Sequence, residues 1–122
     1  MTNALKILLA EDDYTMAEVV RDRLGHAGHE VIWVKYALAA TKKLDQESFD
    51  LVITDFNMLG PETGEVVARK ALSMKIPVRI YSGASWSEYK CAGLERIWIS
   101  KMYLEDVWAF VDSVQAEKNK RG

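Results

Sequence analysis

Acidic residues stand directly after short apolar runs at two separate places in the chain. Glu11, Asp12 and Asp13 follow one run near the N-terminus, and Asp55 follows another. Neighbouring carboxylates repel one another unless a cation lies between them, and oxygen-rich sites that keep several waters suit Mg²⁺. If the fold brings these acids together, they form a candidate site for a divalent cation.

Two further polar residues, Ser82 and Lys101, also follow apolar runs. A cation, an ammonium group and a hydroxyl can together neutralise the oxygens of a phosphoryl group, which is most of what phosphoryl transfer requires. A carboxylate that is screened in this way can attack phosphorus and form an aspartyl phosphate. Asp55 is therefore the candidate nucleophile, and Ser82 and Lys101 are the candidate ligands of the phosphoryl oxygens.

The apolar runs before these residues are short and continuous, which is typical of strands buried on both faces. Five strands are predicted, at 7–10, 31–34, 51–54, 78–81 and 97–99. Helical spacing or composition predicts helices at 15–27, 37–44, 65–74 and 104–114. The segment 85–95 is weakly periodic, so the fourth helix is expected to be brief or irregular.

Strands that alternate with helices predict an α/β fold whose parallel sheet is covered on both faces, because right-handed crossovers join such strands. We expect the flavodoxin-like, doubly wound (βα)5 arrangement with strand order 2-1-3-4-5. Ligands of such sheets bind beyond the carboxyl ends of the strands, where the order reverses between strands one and three. Both of these strands end in acids, so the candidate site is expected at this edge.

Composition narrows the class of protein. A length of 122 residues predicts one domain over 1–122, with no room for an attached output domain. The net charge of −2 creates no general attraction to nucleic acid or to an anionic membrane, so neither is expected as a partner. Cys91 is the single cysteine and the N-terminus lacks a long apolar run, so a cytoplasmic protein without disulfides is expected.

Four segments carry a resemblance to a known family, in the same order along the chain. They are ILLAEDD at 7–13, FDLVITDFNM at 49–58, YSGA at 81–84 and SK at 100–101. Each includes the end of a predicted strand, and together they are far more specific than any one short pattern. The sequence resembles the receiver domains of response regulators in two-component and phosphorelay signalling, of the stand-alone, single-domain type.

The resemblance implies that Asp55 receives a phosphoryl group from the phosphohistidine of a sensor kinase or of a histidine phosphotransfer protein. It implies Mg²⁺, with Mn²⁺ as the alternative, bound by the side chains of Glu11, Asp12 and Asp55 and by the backbone carbonyl of Asn57. Receiver domains assist their own phosphorylation and dephosphorylation, but they are signalling domains rather than enzymes. A downstream protein target and a monomer or weak dimer are expected on the same ground.

Receiver domains switch when a Ser or Thr hydroxyl moves toward the phosphate and an aromatic residue on strand five turns inward. The change alters the surface formed by helix four, strand five and helix five. Ser82 and Trp98 occupy these two positions. The alternative for Trp98 is a packing residue that does not move.

The sequence departs from the family pattern near the site. Met102 follows Lys101 where a proline with a cis bond is usual, and a trans bond is expected because a cis bond without proline costs about 3 kcal/mol. The loop after Lys101, and with it the position of the Lys101 ammonium, is therefore expected to differ from the family pattern. Leu59 stands where proline is usual and Gly64 falls one residue late, which suggests an inserted residue near 60–62. The part of the chain that carries the fourth helix is also short.

Simpler roles compete for the charged residues. Asp13 is expected to cap the first helix, because acids favour the positive end of the helix dipole. Asp55 and Lys101 could form a plain ion pair at the sheet edge. His26 and His29 are expected to be exposed polar residues rather than metal ligands, since neither has a partner at a suitable spacing.

Two residues without a charge are interpreted from their position alone. Cys91 is expected to be a passive thiol. Phe110 lies off the apolar stripe of the last helix, so it is expected to mark a contact surface.

Two other functions are weighed against phosphorylation. A receiver-like interaction module that no longer switches is the alternative, suggested by Met102, the altered loop after Asp55 and the short fourth helix. A phosphohydrolase with an aspartate nucleophile is disfavoured, because Asn57 stands where such an enzyme needs its second acid.

Overall fold

The computed structural model describes residues 3–121, which form five parallel strands, five α-helices and one 3₁₀ turn. In chain order the elements are β1 Lys6–Ala10, α1 Tyr14–His26, β2 Glu30–Val34, α2 Ala37–Gln46, β3 Leu51–Asp55, α3 Gly64–Ser73, β4 Val78–Ser82, α4 Trp86–Tyr89, the 3₁₀ turn Glu95–Ile97, β5 Trp98–Ser100 and α5 Leu104–Lys120. The strands form one sheet in the order β2-β1-β3-β4-β5. The predicted flavodoxin-like arrangement is confirmed.

The core lies on both faces of the sheet because successive residues of a strand point to opposite sides. On β1, Leu8 and Ala10 pack beneath α2 and α3, whereas Ile7 and Leu9 pack beneath α1 and α5. Both sets are fully buried. This two-sided burial explains why the strands read as continuous apolar runs.

The fourth helix is a single turn, as its weak periodicity predicted. Trp86–Tyr89 is followed by Lys90 in a left-handed conformation, with φ of 51°, which ends the helix. The 3₁₀ turn at Glu95–Ile97 delays β5 by one residue relative to the prediction. No peptide bond among residues 3–121 is cis, so the bond between Lys101 and Met102 is trans as expected.

Two expectations about exposure are wrong. Phe110 is buried, and the Arg79 guanidinium lies 4.3 Å from the centre of its ring, because α5 buries a broader face than its apolar stripe suggests. His29 is also buried, and its Nδ1 accepts a 3.0 Å hydrogen bond from the backbone N–H of Leu5. His26 is exposed, as predicted. No helix within the described residues is long and apolar enough to cross a membrane.

Candidate functional site

Three carboxylates meet beyond the carboxyl ends of β1 and β3. Ala10 pairs with Thr54 in the parallel register, so the residues that follow the two strands emerge side by side. Glu11, Asp12 and Asp55 each offer a carboxylate oxygen, and these oxygens lie within 4.8 Å of one another. The structure therefore brings together the acids that the sequence analysis selected. The fourth acid, Asp13, instead caps α1, as expected.

Glu11 is fully buried and is held by three donors. Its Oε1 accepts a 2.5 Å hydrogen bond from the Tyr81 hydroxyl and lies 3.2 Å from Lys101 Nζ. Its Oε2 accepts a 3.1 Å hydrogen bond from the backbone N–H of Asp13. These bonds offset the cost of removing a carboxylate from water.

The Lys101 ammonium lies between two carboxylates. Its Nζ is 3.1 Å from Asp55 Oδ2 and 3.2 Å from Glu11 Oε1. The backbone N–H of Lys101 donates to the carbonyl of Ser82 at 2.9 Å, which extends the pairing of β4 with β5 by one residue. Lys101 therefore reaches the acids without a proline after it. The ion pair weighed in the sequence analysis exists, but it is part of a larger charged cluster.

The cluster has more acid than base. Burial and the neighbouring Glu11 carboxylate raise the pKa of Asp55 to about 7, against the opposing influence of Lys101. Burial works to lower the pKa of Lys101, but the charges of Asp55 and Glu11 outweigh it and the pKa is raised. A divalent cation would relieve the repulsion between the acids, because it favours the charged form of each one.

Ser82 and Asn57 lie at the same edge of the sheet. Ser82 ends β4, is buried, and its Oγ accepts a 3.1 Å hydrogen bond from the backbone N–H of Ala84. Asn57 follows β3 by two residues, and its side-chain amide donates to the Tyr89 hydroxyl at 2.8 Å. The hydrogen bond from Asn57 joins the loop after Asp55 to α4.

The loop between β3 and α3 is tied to the acids. Asp12 Oδ2 accepts a 3.1 Å hydrogen bond from the backbone N–H of Leu59. At the end of the loop, a Cβ on Gly64 would lie 2.0 Å from the backbone oxygen of Asp55. Only glycine fits there, because no side chain can replace backbone atoms at that distance. The first turn of α3 therefore packs directly against the backbone of Asp55.

Trp98 is half-buried and belongs to an aromatic cluster beside the site. Its ring centre lies 5.1 Å from that of Phe56 and 6.0 Å from that of Tyr89. Its Nε1 donates a 2.9 Å hydrogen bond to the carbonyl of Ala84, two residues after Ser82. Trp98 is thus attached to the segment that carries the candidate hydroxyl.

The sequence analysis missed the two tyrosines of the site, Tyr81 and Tyr89. Tyr81 was interpreted as part of a buried strand and of the segment 81–84 that resembles the family, without a role in the site. A tyrosine in a strand predicted to be buried indicates a polar contact, because the hydroxyl of a buried tyrosine usually finds a hydrogen-bond partner. Its partner, Glu11, could not be identified without the pairing of the strands.

The geometry agrees with the comparisons with known proteins. The family model described as "Response regulator receiver domain" matches residues 7–96. This match covers most of the chain, so the chain belongs to the response regulator receiver domain family.

Three curated relatives share parts of the chain. Response regulator protein FleR of Pseudomonas aeruginosa is 47% identical over 57 residues, which are 47% of this chain and 12% of that protein. Swarming motility regulation protein RssB of Serratia marcescens is 31% identical, covering 62% of this chain and 35% of that protein. The uncharacterized transcriptional regulatory protein YrkP of Bacillus subtilis is 32% identical, covering 75% and 39%. The chain therefore spans less than two thirds of the length of each relative.

Solved structures share the fold over nearly the whole chain. A response regulator receiver protein from Sinorhizobium medicae is 26% identical with a TM-score of 0.83, covering 94% of this chain and 97% of that one. The response regulator protein TrrA of Thermotoga maritima, solved in complex with Mg(2+)-BeF, is 21% identical with a TM-score of 0.74, covering 89% and 97%.

Proposed function

We propose that residues 1–122 form one receiver domain that accepts a phosphoryl group on Asp55. The observation that supports this most directly is the position of the Asp55 carboxylate. It lies close to the carboxylates of Glu11 and Asp12 and 3.1 Å from the Lys101 ammonium. The proposed donor is the phosphohistidine of a sensor kinase or of a histidine phosphotransfer protein, in keeping with membership of the family.

The residues present fit a divalent cation. Among residues 3–121, three carboxylates share one pocket with a single ammonium group, so the pocket carries excess negative charge. Hard oxygen donors suit Mg²⁺ and also Mn²⁺. We propose that Glu11, Asp12, Asp55 and the backbone carbonyl of Asn57 bind the cation. The related protein TrrA was solved with Mg(2+)-BeF, which supports the choice of Mg²⁺.

In the proposed reaction a carboxylate oxygen of Asp55 attacks phosphorus. The new P–O bond forms as the P–N bond to the donor's imidazole breaks, and the imidazole keeps the electron pair. Lys101 would turn from Asp55 Oδ2 to a phosphoryl oxygen, and the Ser82 hydroxyl would donate to a second one. A bound Mg²⁺ would supply further neutralisation of the phosphoryl oxygens.

The proposed signalling face is the surface of α4, β5 and α5, read by a downstream protein. Ser82 and Trp98 are the proposed switch residues. A movement of Ser82 toward the phosphate would displace the nearby carbonyl of Ala84, which accepts the hydrogen bond from Trp98 Nε1. The indole would then lose its partner and be free to turn.

One observation favours the second candidate, a receiver-like interaction module that does not switch. Trp98 packs against Phe56, with the two ring planes inclined by 44°, and its Nε1 donates a hydrogen bond to the carbonyl of Ala84. A large side chain with two such restraints is costly to turn, because both contacts are lost together. In such an interaction module the charged cluster only stabilises the fold, and the α4-β5-α5 surface binds its partner without a change of conformation.

Incubation with acetyl phosphate and Mg²⁺, followed by intact-mass measurement, tests the proposal. Wild type is expected to gain one phosphoryl group, and Asp55→Asn none. Asp22→Asn, which changes an exposed acid on α1, is the matched control and should react like wild type. A folded wild-type protein that gains no phosphoryl group in excess Mg²⁺ would contradict the proposal and favour the interaction module.

A further inference from the structure

Tyr81 belongs to the charged cluster, although the proposed phosphoryl transfer does not use it. Its side chain is fully buried, and its hydroxyl donates a 2.5 Å hydrogen bond to Glu11 Oε1. The Lys101 ammonium lies 3.2 Å from the same oxygen and 4.9 Å from the centre of the Tyr81 ring. Tyr81 thus contacts two of the charged groups that surround Asp55.

One ammonium group serves two buried carboxylates. Lys101 is shared between Glu11 and Asp55, and a phosphoryl group on Asp55 would add negative oxygens that compete for it. When Lys101 turns to the phosphoryl group, Glu11 Oε1 loses one of its two donors. A buried carboxylate oxygen without a donor is strongly disfavoured, so the remaining donor then decides where this carboxylate points.

The Tyr81 hydroxyl is a donor that stays in place when the Lys101 side chain moves. Tyr81 pairs with Asp55 on one side and Ile99 on the other, within the sheet, and its ring packs in the core beneath α1 and α5. A tyrosine hydroxyl is protonated at neutral pH, so it has a hydrogen to donate to Glu11 Oε1.

We propose that Tyr81 is a positioning residue of the phosphoacceptor site, whose hydroxyl holds the Glu11 carboxylate in its orientation toward the cation and continues to hold it when Lys101 moves to the phosphoryl group. The inference rests on the proposed function, because it assigns Glu11 to a cation. It also assigns the residue before Ser82 a part in the site, in addition to its place in the core.

The Mg²⁺ affinity of Tyr81→Phe, measured by isothermal titration calorimetry, tests the inference. Removal of a hydrogen-bond partner of a metal ligand typically weakens metal binding about 10- to 100-fold, and a loss in this range is expected. Tyr36→Phe removes a hydroxyl from a half-exposed tyrosine and should bind Mg²⁺ like wild type. Circular dichroism and urea unfolding in EDTA establish that each variant is folded.

A double-mutant cycle separates positioning from packing. If Tyr81 acts through Glu11, then Tyr81→Phe combined with Glu11→Gln should bind Mg²⁺ as weakly as Glu11→Gln alone. Losses that add would show that Tyr81 acts by another route and would overturn the inference. An affinity of Tyr81→Phe equal to or tighter than that of wild type would also overturn it.

A measurement on the wild-type protein covers the case in which Tyr81→Phe does not fold. With tyrosine labelled at Cζ, NMR follows the hydroxyl proton of Tyr81 during addition of Mg²⁺ and beryllofluoride. The proton is expected to stay protected from exchange, and rapid exchange with water would overturn the inference. The Mg²⁺ titrations need no phosphoryl donor, so failure of the inference and failure of phosphorylation are seen separately.

Discussion

Lys101 and Asp55 form an ion pair, with 3.1 Å between Nζ and Oδ2, and the lysine side chain is the more exposed of the two. The Asp55 side chain is 7% exposed, whereas that of Lys101 is 21% exposed. The carboxylate is held at the end of β3, and the ammonium lies at the end of a long side chain that reaches in from the rim. The lysine can therefore change partners while the aspartate stays in place.

Loss of this ammonium should destabilise the metal-free protein. Lys101→Met leaves the buried carboxylates of Asp55 and Glu11 without it, and breaking a buried pair of this kind costs about 3 kcal/mol. Urea unfolding in EDTA measures the change, and excess Mg²⁺ should restore part of it. Lys42→Met, at an exposed position of α2, should stay within about 0.5 kcal/mol of wild type. Equal stability of the two variants would contradict the prediction.

Magnesium should stabilise the folded chain, because a ligand that binds only the folded state shifts the unfolding equilibrium. At a concentration 100 times the dissociation constant, the expected gain in the free energy of unfolding is about 2.7 kcal/mol. Thermal unfolding across a MgCl₂ series, at constant ionic strength, gives this gain. Asp12→Asn should lose most of the gain and Asp22→Asn should keep it. A gain of the same size in all three proteins would indicate a nonspecific salt effect.

A methyl group at position 64 should disturb the end of β3. A Cβ on Gly64 would meet the backbone oxygen of Asp55 at 2.0 Å, so Gly64→Ala is expected to cost about 3 kcal/mol in the free energy of unfolding. Gly25→Ala is the matched control, since Gly25 is helical and has open space around its Cα. It should stabilise the protein by about 0.5–1 kcal/mol. Chemical denaturation should therefore show a lower free energy of unfolding for Gly64→Ala and a higher one for Gly25→Ala.

His29 should make stability depend on pH. Burial lowers the pKa of His29, although Asp112 and Asp50 act in the opposite direction, and a protonated Nδ1 could no longer accept the hydrogen bond from Leu5 N–H. The unfolded chain therefore binds more protons than the folded one below a pH of about 6.5, the ordinary histidine value. The stability contributed by His29 should therefore fall as the pH decreases through this value, toward the lower pKa of the folded state, whereas Asp55, whose pKa is raised to about 7, acts in the opposite direction.

Replacement of His29 isolates that contribution. In His29→Asn the side-chain oxygen can still accept from Leu5 but does not titrate, so the stability of wild type relative to His29→Asn should decrease between pH 7 and pH 5. His26→Asn changes an exposed histidine and should behave like wild type. Urea midpoints measured across the pH series provide the comparison. An unchanged pH profile in His29→Asn would rule out this histidine as the source.

The sequence alone determined the alternation of strands and helices and the edge at which the acids meet. Both follow from local physical chemistry. Runs such as 7–10 and 51–54 are short and continuously apolar, which is typical of strands buried on both faces. A parallel sheet brings the carboxyl ends of such strands to one edge, so the sequence alone assigns Glu11, Asp12 and Asp55 to one pocket.

The tertiary structure decided which groups donate hydrogen bonds to the carboxylates of that pocket. It also decided that residues expected to be exposed are buried. The bond from Tyr81 to Glu11 joins residues 70 positions apart, and that from His29 to Leu5 joins residues 24 apart. Burial of Phe110 depends on how α5 lies against the sheet. Such contacts depend on register and packing between distant elements, whereas periodicity reports only which face of one element is apolar.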